Sequence, residues 1–356
     1  MCIRDSSGEE LTEQAVLAEM AVLEQDLARY GWNTIIIGDG WQKAPGVWEP
    51  RETAFPRGFA PLVQDIHSRG MKASLHINPF IVPRESPLTA SHPDWLVPPA
   101  EWAVPALPED ARILDVTHPE ADAYVRQLFE KISNTWGFDA VEGLNVPYGV
   151  LAAKHYSDPS RTRLDVLRIA MSAVDAGMGP GRTIACAGPQ PVLRVRGDVM
   201  DLGQTAAPLW TGDARHWGSI DALDAAALRY FFSPYLYALA SPAMYFDTPG
   251  LPARWPGLDR HTFTKEQTTA CLTAMALKGG VLKLGNTFAE LNDEQKNILT
   301  KLLPAVHWRA RPLDLFDNHP PRLWSARLNT KAGEWFYAVV FNWSLEEEPP
   351  VTLYLG

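Results

Sequence analysis

The sequence predicts an α/β chain of the (β/α)8-barrel type, followed by a small antiparallel β domain. Three observations carry this. Short apolar, β-branched runs alternate with amphipathic helical segments from residue 9 to residue 310. Most of these runs open into a polar or glycine-marked loop, the form a parallel strand takes when it delivers side chains at its C-terminal end. After Pro312 the apolar period changes to two, which marks antiparallel strands with one wet face.

Met1 to Ser7 has neither the apolar centre of a leader peptide nor any periodicity. Residues 1–8 are therefore expected to be disordered or foreign to the domain. Glu9 to Tyr30 reads as a helix, with Leu11, Ala15, Ala18, Val22 and Leu27 near one face and Gly31 as its stop. Thr34 to Ile37 is a buried strand that delivers Asp39 and Trp41 in GDGW. Phe59 to Ser68 is the next helix. Lys72 to Asn78 is a strand with His76 and Asn78 at its mouth. The Pro-rich stretch Pro79 to Pro108, with Trp95 and Trp102, is too long for an ordinary connection and predicts a lid or binding loop.

Pro119 to Trp136 follows as a helix, with Thr117 as N-cap and Glu120 in the capping-box position. The stretch the chain is organised around comes next, WGFDAVEGLNVPYG. Its apolar run Phe138 to Val141 opens into Glu142, Gly143, Leu144 and Asn145, and Pro147 ends it. Beyond it, Arg161 to Ala176 is a helix, and Thr183 to Ala187 a strand ending in CAGP. Asp198 to Gly203 is a strand, Ala222 to Leu239 a helix, and Ala243 to Phe246 a strand ending at Asp247. Lys265 to Leu277 is a helix, Gly280 to Leu284 a strand, and Asp293 to Leu303 a helix. This makes seven strands. An eighth would belong before the first helix, where the sequence leaves no room, so the chain reads as truncated at its start or the barrel as open. Residues 9–310 form the barrel-type domain. Residues 311–356, with alternating runs at Arg322 to Ala326, Trp335 to Asn342 and Val351 to Leu355, form the sheet domain.

Composition narrows the function. The chain is 46% hydrophobic and 21% charged, with a formal net charge of -10. That is globular, and its acidity argues against nucleic acid or an anionic membrane as partner. No apolar stretch reaches transmembrane length. Three widely spaced cysteines form neither a disulfide framework nor a zinc pattern. A reducing compartment or a disulfide-free exported protein is allowed, and with no leader peptide visible the cytoplasm is favoured. The 13 Trp residues fit a site where indole faces stack on sugar rings, but most of them read as core or loop anchors. An oligomer is allowed, and no cofactor or metal is predicted. His76, Glu142 and Asp201 lack the tight spacing of a metal-ligand motif.

With these residues laid out, the chain resembles glycoside hydrolase family 36, the α-galactosidases and raffinose synthases. IIIGDGWQ resembles the family's strand ending in Asp-Asp-Gly-Trp. FPRGFAPLVQDIHSRGMKASLHINPFIV and SHPDWLV follow in the family's order, then LDVTHPEADAYVRQLF, WGFD, CAGP, RPLDLF and FNWS. The resemblance implies a barrel fold and retaining hydrolysis by two carboxylates about 5 Å apart. It also shows departures. With WGFD aligned, the family's Lys-x-Asp nucleophile motif puts Glu142 at the Lys and Leu144 at the Asp. With Pro208 and Trp210 aligned, its Arg-Ile-Gly-x-Asp motif puts Asp201 at the Arg and Thr205 at the acid/base Asp. One of the two Asp residues of Asp-Asp-Gly-Trp falls on Gly38, and the usual third-strand Trp falls on His76. A slip of one residue would put Asn145 or Gln204 in place, and neither is a carboxylate.

The expectation is a degenerate relative that binds a sugar or glycoside but cleaves it poorly. One alternative is an active glycosidase or glycosyl-transferring enzyme, with Glu142 and Asp201 as a relocated catalytic pair. Side-chain alternation puts Glu142 and Leu144 on one face, and the pair about 6–7 Å deeper than usual. Another alternative is a structural or interaction protein with a collapsed pocket. Candidate substrate contacts are Asp39, Trp41, His76, Asn78, Trp210, Asp213 and Asp247, with His216 and Trp217 in the same loop as Asp213. Each has a plainer reading: Trp41 as a core indole, His76 as a hydrogen-bonded structural histidine, Asp213 as part of a solvated loop. Cys186 reads as a packed thiol, and Asp94 and Trp95 as loop anchors.

Overall fold

The run of four β-branched residues Thr34–Ile37 is extended, because such side chains lose least in a doubly covered strand. In the computed structural model it is a central strand of a parallel sheet. The structure describes residues 2–3, 11–104, 107–108, 110–145, 149–187, 198–201, 209–212, 218–230, 238–246, 248, 264–302, 310–344, 346 and 350. The chain divides into two compact units, residues 1–203 with 287–289, and residues 204–286 with 290–356.

The first unit begins with β1 (Cys2–Ile3), α1 (Glu13–Asp26) and β2 (Thr34–Ile37). β1 lies in the stretch without periodicity, yet it pairs in parallel with β2, Cys2 opposite Ile36. It occupies the strand position that the sequence leaves empty. α1 starts at Thr12, whose hydroxyl accepts from Ala15 N at 3.1 Å. After α1 a short 3-10 turn, Ala28–Tyr30, carries the chain to Gly31, which closes the run at φ 106°. The hairpin β3 (Gln42–Ala44) and β4 (Val47–Pro50) follows β2, and α2 (Phe59–Ser68) leads into β5 (Lys72–His76).

The Pro-rich stretch is no open loop. It contains β6 (Ile81–Pro83), α3 (Pro87–Ser91) and β7 (Leu96–Val97). With β8 (Ala111–Leu114) these strands form a three-stranded antiparallel sheet in the order β6-β8-β7. Its underside is a small core of Val97, Ala103, Ile113, Ala152 and Ala153. Sequence reading misses it because the strands are two to four residues long and carry little period. Trp95 is buried and stacks on His92 at 3.7 Å, so it is an anchor, whereas Trp102 is exposed.

α4 (Pro119–Glu130) is capped by His118 rather than Thr117. The Thr117 hydroxyl is spent elsewhere, donating to Asp115 Oδ1 at 2.7 Å. Asp115 is fully buried, and its carboxylate also accepts from the backbone N–H groups of Thr117 and Ser157. It ties the turn before α4 to the loop after the next strand. Asp115→Ala is expected to cost about 3 kcal/mol, because buried donors lose their acceptor. Urea unfolding would show it, and an unchanged midpoint would remove Asp115 from this role.

Then come β9 (Ala140–Asn145), α5 (Arg163–Met178), β10 (Thr183–Ala187) and β11 (Val199–Asp201). α5 opens with a reciprocal capping box between Thr162 and Asp165. All six central strands of this unit run parallel in the order β1-β2-β5-β9-β10-β11. At the N-terminal end of β9, Asp139 accepts from Ala73 N at 2.9 Å and contacts His67 at 2.8 Å, which fixes the register of β5 against β9.

The second unit contains α6 (Ser219–Leu228), β12 (Ala238–Met244), α7 (Lys265–Leu277), β13 (Val281–Leu284) and α8 (Asp293–Leu302). β12 and β13 pair in parallel. The helix expected to reach Leu239 ends at Leu228. The alanine-rich segment from Ala238 is held instead as a strand by pairing with β13, a tertiary interaction that overrides local preference. An antiparallel sheet of β14 (Arg311–Pro312), β15 (Leu323–Thr330) and β16 (Gly333–Val340) completes the unit. The run Val351 to Leu355 lies outside the described residues. Among those residues no helix is long and apolar enough to cross a membrane.

Candidate functional site

The C-terminal ends of β2, β5 and β9 bring three predicted residues together. His76 Nδ1 lies 3.2 Å from Glu142 Oε1, and its Nε2 lies 3.3 Å from Asp39 Oδ1. The side chain of Asp39 is 60% exposed, that of His76 18% and that of Glu142 3%. The three therefore form a string from solvent inward: carboxylate, imidazole, carboxylate. Pairing of adjacent strands sets it up, since His76 and Glu142 are register partners across β5 and β9. The backbone beneath is tied by Ile77 N donating to Glu142 O at 2.9 Å, and by the Trp41 indole donating to His76 O at 2.9 Å.

β9 contains a bulge at this point. Val141 pairs with Ile184, but Leu144 pairs with Cys186, so three steps on β9 match two on β10. Gly143 sits in the bulge at φ +79°. A β-carbon there would fall 2.6 Å from His76 Nδ1 and closer still to Cε1. The bulge breaks the simple alternation expected of the strand. Ile184 and Cys186 are two apart on β10 and share a face, so their partners Val141 and Leu144 share it too. Glu142 lies on the opposite face, with His76. Leu144 is 0% exposed, and the residues that share its face, Leu75, Val141, Ile184 and Cys186, are buried as well. The expectation that Glu142 and Leu144 point the same way is thus corrected. Asn145, one residue further on, returns to the side of Glu142. Asn145 entered the sequence reading only as a one-residue slip; the glycine inside the strand was the signal that would have found it.

Two further expectations change. Trp41, expected to offer a ring face to a sugar, is 0% exposed and packed among Trp48, Phe59 and Trp136. Its ring is core, and its one polar atom holds the β5 end. In the second unit the Trp210 indole donates to Trp343 O at 3.3 Å, and the two rings lie 6.2 Å apart. Trp210 anchors its loop against FNWS, and its N–H is already engaged. Asn78 is half-buried, its carboxamide oxygen facing Phe80 N at 3.4 Å in a local turn. Asp213, Asp247, His216, Trp217 and Thr205 lie outside the described residues. For Asp201 the backbone is placed, opposite Ala187, which in turn pairs with Asn145. Cys186 is fully buried, as a packed thiol would be.

Asp94, His118 and Glu120 also approach one another closely enough to share a cation. Their contacts already have local causes, since His118 caps α4 and its Nε2 faces Asp94 at 3.4 Å. The string at the strand ends can hold hydroxyl groups through Asp39 and His76. It presents no carboxylate on the β9 face beyond Glu142, which is committed to His76.

Comparisons with known proteins bear on the family and the fold. Residues 14–143 match the Melibiase family model. The α-galactosidase of Escherichia coli is 29% identical over 109 residues, which are 29% of this chain and 15% of that protein. A bifunctional α-galactosidase/sucrose kinase of Mediterraneibacter gnavus is 29% identical over 82 residues, 21% of this chain and 9% of that protein. The matches thus take in only a small part of these curated relatives. Among solved structures, the α-galactosidase from Thermus thermophilus in complex with p-nitrophenyl α-D-galactopyranoside aligns with a TM-score of 0.66 at 24% identity, over 88% of this chain and 62% of that one. A glycoside hydrolase family 27 β-L-arabinopyranosidase from Geobacillus stearothermophilus aligns with a TM-score of 0.68 at 16% identity, over 92% and 80%. At these identities the structural matches establish the fold.

Proposed function

We propose, for a chain that belongs to the α-galactosidase-like glycoside hydrolases, that it binds a sugar or glycoside at the C-terminal ends of its parallel strands and hydrolyses α-galactosides poorly or not at all. Family 36 is the branch its motifs favour, and a (β/α)8 barrel is the architecture this reading assumes. The observation that carries the proposal is the β9 bulge. It turns Leu144 into apolar packing and leaves Asn145, a carboxamide, on the face where a retaining enzyme needs a carboxylate nucleophile. A carboxamide forms no glycosyl ester, so the two-carboxylate mechanism loses one partner. Asp39 and His76 remain as groups able to accept from and donate to sugar hydroxyls.

The relocated pair of Glu142 and Asp201 is the weaker reading. Glu142 is 3% exposed and engaged with His76, which leaves it badly placed to reach a glycosidic oxygen. Titration calorimetry with galactose, melibiose and raffinose, run beside p-nitrophenyl α-galactoside turnover, tests the proposal. The expected result is binding with Kd in the micromolar-to-millimolar range and turnover at the level of a buffer blank. Turnover of tens per second, within the range usual for enzymes, would overturn it. So would silence in every titration.

A further inference from the structure

We propose that Trp102 is an outer stacking contact for a second sugar ring, the first ring lying at the strand ends. The inference rests on the sugar-binding reading above. It adds a ligand class, a glycoside of two or more rings, and a residue that selects it. Of the two tryptophans in the Pro-rich stretch, Trp95 is buried, whereas Trp102 is 57% exposed. The backbone holds it so. Ala103, the next residue, is fully buried in the small core under the β6-β8-β7 sheet. Ala100 N donates to Ala152 O at 2.6 Å, Ala103 N to Ala100 O at 2.9 Å, and Lys154 N to Pro98 O at 2.9 Å. The segment is thus fastened on either side of an indole left facing outward.

Arg163 fixes the ring itself. Its guanidinium lies over the indole, 5.9 Å from the ring centroid, and its Nη1 donates to Leu151 O. Arg163 is the first residue of α5, where the Thr162–Asp165 capping box holds the backbone. A cation on one face and open surface elsewhere make the indole a pre-ordered flat platform. Such a surface offers dispersion to the C–H face of a pyranose, and the guanidinium N–H groups not spent on Leu151 can donate to its hydroxyls. Among the described residues of this unit, the large apolar side chains that stay exposed are Trp102, Val104 and Leu164, all on these two segments. Three side chains fall short of the roughly 800 Å² that each partner buries in a stable protein interface. A sugar ring fits a patch of this size better than a protein does.

Chain order hangs the platform from the mouth of the strands. The small sheet begins at Ile81, just after β5 ends at His76. Ala152, to which the Trp102 segment is bonded, follows closely on the end of β9 at Asn145. So short a connection reaches at most about 25 Å. Trp102 therefore belongs to the ends of the two strands that hold His76 and Glu142.

The test is titration calorimetry of the full chain with galactose, melibiose, raffinose and stachyose, on the parent, Trp102→Ala and Trp102→Phe. In the parent at least one oligosaccharide is expected to bind about 10-fold tighter than galactose, a difference of about 1.4 kcal/mol. Trp102→Ala should remove most of that gain and leave galactose affinity unchanged, while Trp102→Phe keeps part of it. Because Trp102 is exposed, both variants should unfold at the parent's urea midpoint. Oligosaccharides that bind no tighter than galactose overturn the inference and leave the sugar-binding reading intact. So does a gain that survives Trp102→Ala. An equal loss for galactose and the longer sugars also overturns it, since the indole would then act through the fold. Sedimentation velocity checks the other occupant: self-association that Trp102→Ala abolishes would assign the patch to a second copy of this chain and overturn the inference. If none of the four sugars binds, the sugar-binding reading itself fails, and the inference with it.

Discussion

Leu144→Asp is expected to cost roughly 4 kcal/mol or more and to yield no hydrolysis. Aligned by sequence, this substitution looks like the repair of a lost nucleophile. In the fold it drives a carboxyl group into a position that is 0% exposed, on a face shared with Leu75, Val141, Ile184 and Cys186. The side chains on that face are aliphatic apart from the Cys186 thiol, and a buried, poorly partnered carboxyl group is among the few changes that cost this much. Asn145→Asp is the contrasting variant. It changes a half-buried residue on the side of Glu142, and stability should stay within about 1 kcal/mol of the parent. Urea midpoints and soluble yield separate the two. A well-folded Leu144→Asp that cleaves p-nitrophenyl α-galactoside would show that the bulge has been placed one residue off.

Gly143→Ala should lower stability by about 3 kcal/mol and scramble the site at the same time. Two penalties combine. A β-branched or bulky residue at φ +79° is strongly disfavoured, and even alanine in this region costs of order 1–3 kcal/mol. The added methyl also meets the His76 ring from its Cε1 to its Nδ1, inside any permissible contact distance. His76 must then swing away from both Asp39 and Glu142. The steric part can be told from the backbone part by a second substitution. His76→Ala removes the ring, so in its background Gly143→Ala should cost only the backbone share, a coupling of about 1–2 kcal/mol. Sugar affinity should fall with the single variant even at temperatures where it stays folded. Equal costs in both backgrounds would mean that the ring and the glycine do not press on each other.

These two variants mark the line between what was legible in residues and what was not. The alternation of apolar runs and amphipathic helices placed β2, β5, β9 and β10 to within a few residues, because burial on both faces leaves a strong local signal. Asp39, His76 and Glu142 could each be placed towards the mouth of a strand, but their meeting as one string was not read. The short sheet β6-β8-β7 and the pair Cys2–Ile3 could not, for they are too brief to show a period and exist only through their partners. Trp41 looked like a sugar platform until Trp48, Phe59 and Trp136 closed around it.

Chain order and side-chain type alone determined a parallel α/β frame, an acidic cluster at its strand ends and the lack of a carboxylate at position 144 or 145. Which of those two residues faces Glu142 was decided only by tertiary pairing. β9 must match β5 on one edge and β10 on the other, and the one extra residue that this requires is absorbed at Gly143. A single bulge reverses every side chain after it, and no period within one strand can report the register of its neighbours.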